Sequence, residues 1–246
     1  MKQLTEQQLK ENYLKLRQLI TDTFSGERLE RLNKMYDDLE DRVIVAPASG
    51  KEEYHYCHVG GYVEHILHVV DTARKMSDLF EVAGGSVDWS DEELVFAGLH
   101  HDLGKVGDLE QEHYIPQDND WRVKNLGEIY IANTDIQNMR APERGLFILQ
   151  HYGISCSLNE TLGIKLADGL YDEANEYYFG GSYFASQIIS PIKSDDIEGQ
   201  VPNDIQFLLN DDNYFTSMRN MWSDFRNDLG RKSSFELQRL PDLYKN

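Results

Sequence analysis

The chain has little sulfur chemistry to offer: Cys57 and Cys156 are its only cysteines in 246 residues. Two isolated thiols exclude a disulfide framework and a Cys-based metal site, and they suit a reducing compartment. Long apolar runs are missing too, for no stretch approaches the ~20 residues of a membrane helix. The N-terminal "MKQLTEQQLKENYLKLRQLI" is charged throughout and lacks the apolar core of a signal peptide. A cytoplasmic location without membrane contact is therefore expected. Basic side chains are scarce, with 24 Lys and Arg against 43 Asp and Glu and a formal net charge of -19. Such a field repels polyphosphates and nucleic acid unless bound cations reverse it locally. That counts against a duplex-DNA binder and leaves a metal enzyme with a small anionic substrate open. Internal repeats, low-complexity tracts and the period-two alternation of half-buried strands are also wanting.

Helical spacing is what remains. Leu9, Tyr13, Leu16 and Ile20, then Leu29, Leu32, Met35 and Leu39, predict two helices within residues 5–42, parted at Gly26. "VIVAPASGKEE" (43–53) reads as a connector. "GGYVEHILHVVDTARKMSDLF" (60–80) carries one apolar stripe and predicts a helix. Ser90 followed by Glu93 is a capping box that opens a helix over 91–103, ended by Gly104. Residues 108–122 read as a polar surface loop. Further helices are predicted over 124–138, over 142–151 with Pro142 in the first turn, and over 158–176. Residues 177–204 look irregular and aromatic-rich, and 205–229 read as a helix pair. The expected class is all-α: a single domain with N-terminal helices (1–45), a central helical core (46–176) and a C-terminal aromatic and helical segment (177–246).

The chemistry concentrates in "LHHDLGK" (99–105), where two of only 8 histidines stand beside an aspartate at a helix end. An isolated His-Asp pair is common and means little. His65 on the preceding helix and Asp168 in "KLADGL" change that, since together they offer two imidazoles and two carboxylates from three helices. Such a set suits a divalent ion (Mn, Mg, Co, Ni, Fe or Zn) with positions left for water and substrate.

The order H…HD…D resembles the HD superfamily of metal-dependent phosphohydrolases, with "GGYVEHILHVVDTA", "FAGLHHDLGKV" and "KLADGL" as its three ligand stretches. The resemblance implies His65, His101, Asp102 and Asp168 as metal ligands in an HD-domain helical bundle. His100 falls in an apolar slot of the signature, and His68 reads as a surface residue. "APASGKEEYHYCHVGGYVEH" is similar to the approach to the HD domain of bacterial 3′-to-5′ exoribonucleases, with His55, Gly60, Gly61, Glu64 and His65 at matching places. "LGEIYI" and "FILQHYG" resemble two further helices of those enzymes. There, however, Glu128 and Tyr152 replace histidines that hold a second metal. One ion is thus expected, with Glu128 and His151 as the residues available to a second ion or to substrate.

In the family the lysine at the place of Lys105 lies near the phosphate, and Asp102 could also orient the attacking water. Glu64 reads as a supporting residue, and His113 as solvated. Arg144, Lys165 and Tyr178 are weaker candidates for substrate binding, and residues 176–187 for a lid. The resemblance implies hydrolysis of a phosphoester or phosphoanhydride bond. Acidic balance, and helices over the first 45 residues where the exoribonucleases carry an OB-type β domain, favour a nucleotide substrate. The alternatives are 3′-to-5′ cleavage of single-stranded nucleic acid and a non-catalytic, metal-clamped nucleotide-binding module. A di-iron oxygenase is disfavoured by the altered second-metal positions. Helices at either end could also pair two copies of the chain.

Overall fold

Helix boundaries follow from local capping chemistry in the computed structural model, which describes residues 3–82, 87–169, 172–175 and 178. Helix α1 (Glu6–Thr23) starts at Thr5, whose hydroxyl accepts from the Gln8 amide while Gln8 reaches back. Helix α2 (Gly26–Asp38) follows, with Gly26 at φ +56°, and the short α3 (Glu40–Val45) completes an N-terminal helical layer. Leu16, Ile20, Leu32, Met35 and Tyr36 are buried between these helices. Arg17 ties α1 to α2 through Asp37 and Asn33.

The centre is α4 (Gly61–Val82) against α5 (Asp91–His100). Gly98 permits the close approach, because a Cβ there would meet Val70 Cγ2 at 3.0 Å. The Ser90–Glu93 capping box is present, and every α5 residue from Leu94 to His100 is buried. Helix α7 (Ala141–His151) and helix α8 (Leu158–Lys165) cover the other side of α5 and the turn that follows it. Among the described residues no helix is long and apolar enough to cross a membrane. The all-α class holds.

Four local expectations need correction. The helix predicted to 103 ends at His100, and a 3-10 turn occupies Leu103–Val106. Residues 124–138 are not one helix: helix α6 (Asp120–Leu126) ends at Gly127 in the left-handed region, and strand β2 (Tyr130–Ala132) follows. The polar segment 108–122 contributes β1 (Tyr114–Pro116), paired antiparallel with β2 in the register Ile115 opposite Ile131. The fourth correction is α8, which stops at Lys165 instead of running to 176. Expected features over 179–246 lie outside the described residues.

His100 is fully buried against Phe96 and Tyr36. Its Nδ1 donates to the Phe96 carbonyl at 2.7 Å, which leaves Nε2 as a bare acceptor with no hydrogen-bond partner. Burial holds its pKa down at about 3. The folded state therefore keeps His100 neutral while the unfolded chain takes a proton below its ordinary value. Stability should be full above about pH 6.5 and fall as pH drops towards 3, by up to about 1.4 kcal/mol per pH unit from this one residue. Urea denaturation at pH 7, 6 and 5 measures the slope, and His100→Leu should lower it by up to that amount.

Candidate metal centre

The end of α5 builds the site. His101 still has helical backbone angles and donates its amide to Ala97, whereas Asp102, at φ -108° and ψ 11°, has left the helix. The change in direction turns two neighbouring side chains towards one point, which a continuous helix would not allow. His101 Nδ1 donates to the Gly98 carbonyl at 2.9 Å, so its Nε2 carries a lone pair. That Nε2 lies 3.1 Å from His65 Nε2 on α4 and 3.5 Å from Asp102 Oδ2. His65 Nε2 in turn lies 3.3 Å from the same oxygen.

These separations fit a shared ion. Two donors each about 2.1 Å from one cation stand roughly 3.0 Å apart at a right angle and roughly 3.4 Å apart at the tetrahedral angle. All three residues are buried, and they arrive from two elements. His55, in the loop before α4, joins them: His55, His65 and Asp102 offer donor atoms all within 4.8 Å of one another. Its ring stacks on that of His65, with centroids 4.6 Å apart. This His/Asp group can hold a metal ion.

Lys105 completes the arrangement from the 3-10 turn, its ammonium 2.6 Å from Asp102 Oδ2. Burial opposes ionisation of Asp102, yet Lys105, His101 and His65 together hold its carboxyl well below the usual carboxylate range. Burial likewise opposes the Lys105 charge, and Asp102 outweighs it, so the ammonium pKa is raised. Burial pushes His101 down to about 4, which keeps its imidazole neutral and able to ligate at physiological pH.

The group opens into a cavity of about 800 Å³. His55, His65, His101, Asp102, Lys105 and Asp168 line it, together with Lys51, Tyr54, Tyr114, Arg122, Glu128 and Tyr130. The four residues matching the family's ligand pattern are thus brought to one cavity, with Lys105 among them. Asp168 sits exposed just beyond α8.

Other candidates are placed elsewhere or occupied differently. Glu128 does line the cavity, but its carboxylate is gripped by the Arg122 guanidinium at 2.5 and 3.0 Å. His151 is exposed, stands edge-on to Tyr152, and does not line the cavity. Arg144 is buried and structural: it donates to the carbonyls of Gly104, Gln137 and Met139 and meets His113 Nδ1 at 3.0 Å. His113 is therefore half-buried rather than solvated, and burial with the neighbouring Arg144 and Lys105 cations lowers it to about 4. Lys165 is engaged by Glu143 at 2.7 Å and Asp172 at 3.6 Å. Tyr178 does not line the cavity, and His68 contacts the Tyr56 hydroxyl. Glu64 stands 3.5 Å from His58. His55 is the residue that motif reading underrated; its place in the flanking match was the only signal, because no periodicity marks an irregular loop.

Two sets of variants check these placements. Arg144→Met should cost about 3 kcal/mol of stability, because it strips a buried cation and leaves the carbonyls it serves unmet. In a Co²⁺ titration followed by visible absorption, His65→Ala and Asp102→Ala should lose stoichiometric binding. His55→Ala should weaken it about tenfold or more, and His151→Ala should leave it unchanged. Retained binding in Asp102→Ala would refute the site. No protein-family model, curated protein or solved structure matches this chain, so the reading of the site rests on its own geometry and on the motif pattern.

Proposed function

We propose that the chain is a metal-dependent phosphohydrolase of nucleotides. One observation carries the reading: three donor atoms spaced 3.1–3.5 Å apart share a cavity with an ammonium 2.6 Å from the same carboxylate. His65, His101 and Asp102, with His55 and Asp168 at hand, would hold one divalent ion. The bound ion would supply a hydroxide near neutral pH and withdraw charge from a phosphoryl oxygen. Asp102 accepts hydrogen bonds through a buried oxygen and orients what sits beside it. Lys105 places a cation where negative charge develops as the phosphoryl group is attacked. Burial of the imidazoles and of Asp102 excludes water from these interactions and strengthens them.

The acidic balance of the chain and a cavity within the ~300–1,000 Å³ of small-molecule sites support a mononucleotide over a polymer. A panel of nucleoside mono- and triphosphates, cyclic nucleotides and 3′-labelled single-stranded RNA, with Mn²⁺, Mg²⁺, Co²⁺ or Ni²⁺, tests the reading. Phosphate, pyrophosphate or triphosphate release, absent in Asp102→Ala, is expected. Lys105→Ala should lower kcat by about 100-fold or more with metal binding retained, and Lys105→Arg should recover part of the loss. Stepwise shortening of RNA would replace the reading with an exonuclease. Silence on every substrate with metal tightly bound would replace it with a binding module.

A further inference from the structure

The cavity lining carries charge outside the His/Asp group, in Lys51, Arg122 and Glu128. Lys51 and Glu128 face each other across an isolated antiparallel bridge, and the Glu52 amide donates to the Gly127 carbonyl at 2.8 Å. The chain before α4 is thereby tied to the loop between α6 and β2. Arg122 projects from α6 onto the same point and clasps Glu128 with two nitrogens. Lys51 is held far more loosely: its ammonium stands 4.0 Å from both Glu53 and Glu128, beyond hydrogen bonding. Two cations thus share the Glu128 carboxylate at the cavity wall, and that carboxylate is only 13% exposed.

A planar guanidinium paired side-on with a carboxylate has the geometry that also takes a phosphate, which carries more charge and more acceptor oxygens. Around the whole cavity three basic side chains, Lys51, Lys105 and Arg122, stand with three carboxylates, Asp102, Glu128 and Asp168. Near neutrality at rest turns to net positive charge once a dication is bound, in a chain whose overall charge is -19. This is where an anion would be drawn in.

We infer that Lys51 and Arg122 form a second anion subsite, closed at rest by Glu128, which takes the phosphate next to the one attacked. The inference rests on the phosphohydrolase reading for its substrate, which becomes a nucleotide with at least two linked phosphates. Binding exchanges the Arg122–Glu128 pair for an Arg122–phosphate pair, with Lys51 joining from its loose position. A neighbouring phosphate could also come from a nucleic-acid strand. Two cations beside a roughly 800 Å³ cavity, within an acidic surface that repels a long polyanion, fit the linked phosphates of a single nucleotide instead.

Calorimetric titration of the full chain with orthophosphate and with pyrophosphate, in EDTA, tests the subsite without metal. Pyrophosphate should bind about tenfold or more tighter than orthophosphate, as one additional charge-assisted contact implies. Lys51→Ala with Arg122→Ala should bring that ratio close to one, and Glu128→Gln should raise it several-fold. Circular dichroism checks that each variant is folded, and Co²⁺ binding should be the same in all of them. An unchanged ratio in Lys51→Ala/Arg122→Ala, or weaker pyrophosphate binding in Glu128→Gln, overturns the subsite. A single-stranded trinucleotide that outcompetes pyrophosphate assigns the second phosphate to a strand and overturns the nucleotide assignment. If Co²⁺ fails to bind while the pyrophosphate preference stands, the phosphohydrolase reading falls and the subsite survives.

Discussion

One oxygen atom organises this molecule's interior. Asp102 Oδ2 receives the Lys105 ammonium at 2.6 Å and lies within 3.5 Å of two imidazole nitrogens. Asp102 is almost wholly buried, and a buried carboxylate is costly unless paired and hydrogen-bonded. The chain meets that cost with residues from α4, from the end of α5 and from the turn after it. Replacing this cluster with apolar side chains of the same size would serve stability at least as well. An ion pair of this kind, beside the neutral His101 imidazole, makes better sense as a preorganised charge arrangement than as a structural staple.

The turn that carries Asp102 and Lys105 has to be held rigidly for the arrangement to persist. Helix α7 does this at very short range. A Cβ on Gly104 would fall 2.2 Å from the Ala141 carbonyl oxygen, and one on Gly145 would press on the His100 carbonyl at 3.3 Å. Between them Arg144 donates to the Gly104 carbonyl and to two carbonyls of the preceding loop. A cation placed close in sequence to a ligand motif is easily read as a substrate residue. Here the guanidinium is taken up by three backbone carbonyls and the His113 ring, and its effect on the site is to fix the 3-10 turn.

The helices were legible because their signals are local: a capping box at Ser90, Pro142 in a first turn, and apolar stripes on α1, α2 and α4. The His/Asp cluster was legible for another reason, since His65, His101 and Asp102 match a spaced pattern that names positions without needing coordinates. The β1–β2 pair was not legible. Each strand has three residues and no fully buried one, which is too short for a period of two to stand out. "LGEIYI" looks helical through its apolar spacing, yet Gly127 caps α6 and the chain turns extended to pair with Tyr114–Pro116. His55 escaped for a related cause: its approach to His65 is a tertiary event, made in an irregular loop where Tyr56 adopts φ +47°.

Sequence pattern and helix geometry meet at His100 and His101. Composition cannot say which of two adjacent histidines faces the site. On a helix they point about 100° apart, so only one can join His65. Phe96 and Tyr36 surround His100 and the Phe96 carbonyl takes its Nδ1 proton, so it is committed to the core. His101, one step further round, spends its Nδ1 proton on Gly98 and turns a bare Nε2 towards His65 and Asp102. The same backbone-carbonyl device therefore orients both rings, and the helix rotation alone decides that one serves packing and the other faces His65 and Asp102. A one-residue slip in the end of α5 would exchange their places and dismantle the site without altering composition or charge.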